Sequence, residues 1–138
     1  MNNSITIASI QMHVTKNKTD NIKTMESYLK HINKMFPNVS IVVFPELSAT
    51  NIGSNIKTEA ERIPGSLSNM FSKWAKKYKI WLIPGSIYEL SNKKIYNSTP
   101  VFSPNGNLVG IYKKRYPWRP YEKTNPGNSP FVFEIKNI

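Results

Sequence analysis

No cysteine occurs in the 138 residues. That absence excludes disulfides, thiolate metal sites and a cysteine nucleophile within these residues. Histidine is scarce too. His13 and His31 stand alone, and two isolated imidazoles make no metal motif. No run reaches the ~18 apolar residues that a transmembrane helix needs. The N-terminus, MNNSITIASIQ, lacks a basic segment followed by an apolar stretch, so no secretory leader is expected. We expect a cytoplasmic protein with no membrane contact. Of the 19 basic residues only Arg62, Arg115 and Arg119 are arginine. Arginine is the better bidentate phosphate ligand. The net charge of +11, carried by lysines scattered along an asparagine-rich chain, therefore reads as a coding bias toward Lys and Asn. Nucleic acid is not expected as a partner.

What is present reads as one globular domain. Apolar residues make up 39 % and aromatic residues 12 %, enough to bury a core and far from the disordered class. Ile5–Met12 reads as a buried first strand, with Gln11 and His13 at its end. A helix follows, because Ile22, Met25, Tyr28, Leu29, Ile32, Met35 and Phe36 recur at spacings of three and four and form one core stripe. Thr19 or Asp20 can cap its start, and Pro37-Asn38 ends it. Val39–Phe44 is a β-branched run typical of a strand buried on both faces. Ser48–Ile63 is polar and irregular. A second helix starts at Pro64-Gly65-Ser66 and carries Leu67, Met70, Phe71, Trp74, Ala75 and Tyr78 on one side, lysines on the other. Ile80–Ile83 and Ser86–Tyr88 read as one strand interrupted by Pro84-Gly85. Tyr96–Phe102 and Leu108–Lys113 pair through a Pro104–Asn107 hairpin turn, since Asn-Gly suits the twist of antiparallel neighbours. Pro130–Ile135 is a last strand. The order predicts an α/β fold with a mixed sheet.

Two places hold candidate chemistry. Glu46 follows an apolar strand directly, where a low-dielectric flank favours a general base. The stretch Tyr112–Gly127 crowds basic residues, prolines and aromatics around one carboxylate, Glu122. Pro117 and Pro120 exclude a helix here, so Lys114 and Glu122 sit on a stiff loop at a defined separation. Trp118 and Tyr121 can line a small pocket or simply pin the loop. Two carboxylates with a lysine between them can run acid–base chemistry and hold an oxyanion. They lack a nucleophile.

The motifs Phe44-Pro45-Glu46-Leu47, Tyr96-Asn97-Ser98, Pro104-Asn105-Gly106 and Tyr112-Lys113-Lys114 occur in the order seen in the nitrilase, or carbon–nitrogen hydrolase, superfamily, which this chain resembles from Ile5 to Ile135. The segment Tyr116–Glu122 with Pro126-Gly127 is similar to the amidase-like branches. The resemblance implies a partial α–β–β–α nitrilase-type sandwich, with residues 1–138 as the N-terminal part of a single hydrolase domain. It implies Glu46 as general base, Lys114 as oxyanion holder and Glu122 as the second glutamate of the amidase-like branches. Asn97 is taken as structural, and Trp118 and Tyr121 as substrate-binding. No cofactor or metal is implied. The substrate is a small amide or nitrile, and the full-length protein is expected to be a homo-oligomer.

The resemblance implies a cysteine nucleophile that follows the next strand, beyond the loop and strand corresponding to Pro120–Ile135, and residues 1–138 do not include it. Residues 1–138 alone are thus expected to lack hydrolase activity, and a half sandwich is expected to expose the apolar faces of its strands. Two other readings stay open: a catalytically dead remnant serving as an interaction module, and a basic nucleic-acid-binding domain.

Overall fold

The structure, a computed structural model, describes residues 4–50, 53 and 55–135. Its elements are β1 (Ile7–Ser9), α1 (Lys18–Met35), β2 (Ile41–Val43), α2 (Ile56–Glu59), α3 (Ser66–Tyr78), β3 (Trp81–Ile83), β4 (Ile87–Ser91), β5 (Lys94–Phe102) and β6 (Leu108–Lys113). All six strands form one mixed sheet. β1, β2 and β3 run parallel, while β5 is antiparallel to β3, β4 and β6.

β3 and β4 lie along the same edge of β5, because β6 occupies the opposite edge at both Ser98 and Phe102. Between Leu82↔Phe102 and Ile87↔Ser98 the pairing slips by one residue. The interrupted strand read from Pro84-Gly85 is therefore one track with an extra residue at its bend, as in a bulge.

Both long helices share a single core on one face of the sheet. Met25, Leu29 and Ile32 of α1 join Phe71 and Trp74 of α3 over Val42, Leu82 and Phe102. Strand alternation sends Ile41, Val43, Trp81 and Ile83 to the other face. There Phe133 stacks on Trp81 with ring centroids 5.5 Å apart, and Phe131 lies against Gly110, where any β-carbon would collide with its ring. Ile5 and Ile7 remain exposed. No second sheet covers this face among the described residues, so the sandwich is partial, with its apolar side only partly screened.

Several boundaries differ from the sequence reading. α1 begins earlier, with Asn17 as the cap accepting from the Asp20 amide. Asp20 instead falls in the first turn, where its charge meets the positive helix end. Met35 and Phe36, read as part of the core stripe, are exposed: Met35 ends the helix, and Phe36 stands at its C-cap with non-helical backbone at φ −134°, where the helical spacing no longer holds. The polar Ser48–Ile63 stretch contains α2, capped by Asn55; its Asn51, Ile52 and Ser54 lie outside the described residues. Pro130–Ile135 forms no ladder. Its alternation is real, with Phe131 and Phe133 facing the sheet and Val132 exposed, but a strand needs a partner for its main-chain groups.

Candidate active site

Three chain segments bring the site together, and each has a local reason. Pro45-Glu46-Leu47 leaves β2 in a tight turn, with Leu47 at φ 55°, an uncommon conformation for a residue with a side chain. The turn is held from below. Ser86 Oγ accepts the Leu47 amide at 3.1 Å, Ser48 Oγ donates to the Pro84 carbonyl at 3.0 Å, and Thr50 Oγ1 donates to the Leu47 carbonyl at 2.7 Å. Gly85, at φ +77°, passes so close beneath that a β-carbon would stand 1.9 Å from the Pro45 carbonyl oxygen. Lys114 follows β6, and its amide donates to the Asn97 carbonyl at 2.8 Å. Pro126-Gly127 returns against it, with the Gly127 amide donating to the Lys114 carbonyl at 2.9 Å.

The Glu122 loop closes on itself. The Glu122 amide donates to the Trp118 carbonyl at 2.8 Å, and the Trp118 amide donates back to Glu122 Oε2. Arg119 spans the loop, donating to the Glu122 carbonyl and, at 2.7 Å, to the Thr124 carbonyl.

These segments converge on one ammonium. Lys114 Nζ lies 2.9 Å from Glu46 Oε1 and 2.9 Å from Glu122 Oε2. Asn97, only 2 % exposed, donates from Nδ2 to Glu46 Oε1 at 2.6 Å and to Glu122 Oε1 at 3.2 Å. Side-chain exposure is 53 % for Glu46, 28 % for Lys114 and 20 % for Glu122, so Glu46 is the member open to a reactant. It is also more solvated than its place after an apolar strand implied. Burial works against charge on Lys114, but hydrogen bonds to Glu122 and Glu46 outweigh it and hold the ammonium pKa above its usual value. Burial likewise opposes ionisation of Glu122, yet the Lys114, Trp118 and Asn97 hydrogen bonds hold its pKa below the usual carboxylate value. Half-buried Tyr88 is pushed up by burial first, then by Glu122 and Glu46.

Two clefts flank the cluster. One, about 400 Å³, is lined by Phe44, Glu46, Asn97, Thr99, Tyr112 and Lys114. The other, about 470 Å³, is lined by Tyr88, Tyr121, Glu122 and Thr124 among others. Trp118 and Tyr121 are exposed and pack on each other, centroids 4.6 Å apart; only Tyr121 of the two lines either cleft. Behind the site, Lys113 points the opposite way from Lys114. It pairs with buried Glu89 at 3.2 Å, beside Ser98, which donates to Glu89 at 2.5 Å. Among the described residues no group of histidine, cysteine and carboxylate side chains could hold a metal, and no helix is long and apolar enough to cross a membrane.

The profile described as carbon-nitrogen hydrolase matches residues 6–134. The chain belongs to the carbon-nitrogen hydrolase family. Among its relatives, the omega-amidase NIT2 of Danio rerio is 32 % identical across 93 % of this chain and 50 % of its own length. The Homo sapiens omega-amidase NIT2 is 35 % identical across 80 % of this chain and 40 % of its own length. The crystal structure of Saccharomyces cerevisiae Nit3, a member of branch 10 of the nitrilase superfamily, superposes with a TM-score of 0.82 at 26 % identity, covering 96 % of this chain and 52 % of Nit3. The chain spans about half the length of the curated relatives it matches. Glu46 is 68 residues from Lys114 and Lys114 eight from Glu122 in this member of the family, yet the three side chains are neighbours in its fold. The sequence reading took Asn97 as structural and quoted Leu47 only as part of a motif, and it gave Arg119 no place in the arrangement; the structure puts the Asn97 amide against both glutamates. The available signal was Asn97 itself, a polar amide inside an apolar strand, which must find partners when buried.

Proposed function

We propose that this chain forms the Glu–Lys part of an amide-cleaving carbon–nitrogen hydrolase, with the cysteine nucleophile supplied from outside residues 1–138. The observation that carries the reading is Lys114 Nζ held 2.9 Å from each of two carboxylates. An ammonium has three donors. Two point to Glu46 and Glu122, leaving the third for an oxyanion. Both hydrogen bonds to Glu46 end on Oε1, so Oε2 is the oxygen left to take a proton.

Glu46 removes the thiol proton, since the thiolate is the attacking species. Attack on the amide carbon forms a C–S bond and places negative charge on the amide oxygen, beside Lys114. Glu46 returns the proton to the departing nitrogen, ammonia leaves, and an acyl thioester remains. Glu46 then takes a proton from water, which attacks the thioester and releases the acid and the thiol. Glu122 holds Lys114 and orients the substrate, while Tyr121 and Trp118 form the rim. The omega-amidase relatives support a terminal amide over a nitrile as the substrate.

The test begins with the coding sequence past Ile138 in all frames, followed by an ammonia-release assay on the longest product. A cysteine-bearing continuation whose activity collapses in Glu46→Gln and Lys114→Ala is expected. Ammonia release by residues 1–138 alone, or full turnover in either variant, would refute the reading. The partly screened apolar face carrying Ile5 and Ile7 favours a second reading, a non-catalytic interaction module. A genuine stop at Ile138 together with a cooperative melt of the isolated chain would favour it.

A further inference from the structure

We propose that Asn97 is a positioning residue that fastens two like-charged carboxylates to a single lysine. The inference rests on the Glu46–Lys114–Glu122 reading above, and it concerns how that cluster is held together.

Asn97 touches every member of the cluster. Its one amide nitrogen donates to Glu46 Oε1 at 2.6 Å and to Glu122 Oε1 at 3.2 Å. Its carbonyl accepts the Lys114 amide at 2.8 Å. No other residue reaches the side chains of both glutamates among the described residues, apart from Lys114 itself. The geometry has a physical reason. Glu46 Oε1 and Glu122 Oε1 both lie within 3.0 Å of Lys114 Nζ, so the two carboxylates crowd one cation and repel each other. A cation alone sets no orientation, because its attraction is radial. A planar amide with two hydrogens sets both distance and direction. Asn97 can do this because it is fixed: it sits in β5, is paired across to Tyr88 of β4, and is almost wholly buried. A buried amide whose donors both go to carboxylates is a poor choice for packing alone. An apolar residue would fill the space without the desolvation cost.

The other ionisable or charged groups near the cluster are Tyr112, which lines the Glu46 cleft, Tyr121 and Lys123, which line the Glu122 cleft, Tyr88 on β4, pushed up by burial first and then by Glu122, Glu46 and Glu59, and Arg119 on the Glu122 loop, occupied with main-chain carbonyls. None of them bridges the two glutamates.

The proposal is tested on residues 1–138 by following side-chain carboxyl carbons and the Asn97 amide protons by NMR across acid pH. No turnover is involved, so failure of the proposed reaction and failure of this inference are separate results. In the unsubstituted chain the Asn97 amide protons must shift with the same midpoint as Glu122. In Asn97→Leu the Glu122 midpoint rises by about one pH unit, as loss of a hydrogen bond to the charged form demands. In Asn97→Asp it rises further, because a third carboxylate joins the cluster. A merely structural Asn97 would lower the melting temperature and leave the Glu122 midpoint in place. Unmoved Glu122 midpoints in the folded variants, or Asn97 amide protons indifferent to Glu122 ionisation, overturn the proposal. The amide measurement decides alone where neither variant folds.

Discussion

Replacing Gly85 by alanine tests whether the bend beneath Glu46 is as tight as its geometry implies. Gly85 has φ +77°, and its added β-carbon would meet the Pro45 carbonyl oxygen at 1.9 Å, the Pro45 carbonyl carbon at 2.9 Å and Ser48 Oγ at 3.0 Å. Two costs combine. A left-handed backbone with a β-carbon costs about 1–2 kcal/mol. The collision is with main chain, which cannot rotate away, and overpacking of this kind costs about 1–3 kcal/mol. The expected destabilisation is therefore about 2–5 kcal/mol. At about 2.1 cal/mol/K of unfolding entropy per residue, a chain of this length loses about 3–4 °C per kcal/mol, so the melting temperature falls by roughly 7–17 °C. Gly53 is the control. It has φ +86° and nothing within 4 Å of an added β-carbon, so Gly53→Ala bears the backbone strain alone, about 1–2 kcal/mol. Calorimetric melts of both variants separate the two costs. Equal shifts for Gly85→Ala and Gly53→Ala would refute the claimed contact between the bend and the Glu46 turn. The same collision displaces Pro45-Glu46, so the cysteine-bearing enzyme should lose turnover in Gly85→Ala and keep it in Gly53→Ala.

Acidification should weaken the fold through Glu122. Its pKa is lower folded than the ordinary 4.5, so its stabilisation is complete above that value and fades as the pH falls through the folded midpoint. Melts of Glu122→Gln should show a shallower acid limb, and parallel limbs would contradict the pairing. Lys114 behaves in the opposite sense: its raised pKa gives stability present below 10.5 and lost as the pH climbs through the folded value, a loss that Lys114→Met should abolish in alkaline melts. Asn21 is 1 % exposed, accepts from Thr15 and donates to the Thr15 and Thr50 carbonyls. Asn21→Leu should lower stability by about 2–4 kcal/mol through the unpaired groups it leaves, read from the urea midpoint. Trp118 is mostly exposed; Trp118→Ala should change stability by less than about 0.5 kcal/mol while raising KM in the cysteine-bearing protein, and an unchanged KM would remove Trp118 from the substrate rim.

Hydrophobic period made most of the fold legible. The stripe Met25–Leu29–Ile32 and the run Leu67–Phe71–Trp74 are buried as their spacing demands, and Asn105-Gly106 turns β5 into β6. What failed is what period does not encode. Asn17 and Asp20 are both good cap residues, and only three-dimensional reach to an amide decides between them. Pro130–Ile135 alternates like a strand, but pairing is a property of two segments. Glu46, Lys114 and Glu122, singled out from their placement at strand ends and in a proline-stiffened loop, stand together in the fold, and their catalytic roles belong to the proposal. The bridge through Asn97 was not legible, because no local pattern shows that residues 46 and 122 approach the same point on β5.

The back-to-back lysines at the end of β6 have one further consequence. Lys113 and Lys114 face opposite sides of the sheet, and each side offers a carboxylate: Glu89 to one, Glu46 and Glu122 to the other. A one-residue slide of β6 along β5 would turn each lysine to the opposite face, bringing one into the other's place and carrying the second a further residue along the strand. One lysine would still meet a carboxylate, so charge alone discriminates only weakly against the error. Discrimination falls to uncharged features: the turn at Asn105-Gly106, the irregularity at Val101/Phe102 that absorbs Val109, and the bare backbone of Gly110 beneath Phe131. Insertions or deletions in the β5–β6 turn would thus be resisted mainly by packing: a residue with a β-carbon moved beneath Phe131 collides with its ring, and the cost should appear in a melting curve as well as in a functional assay.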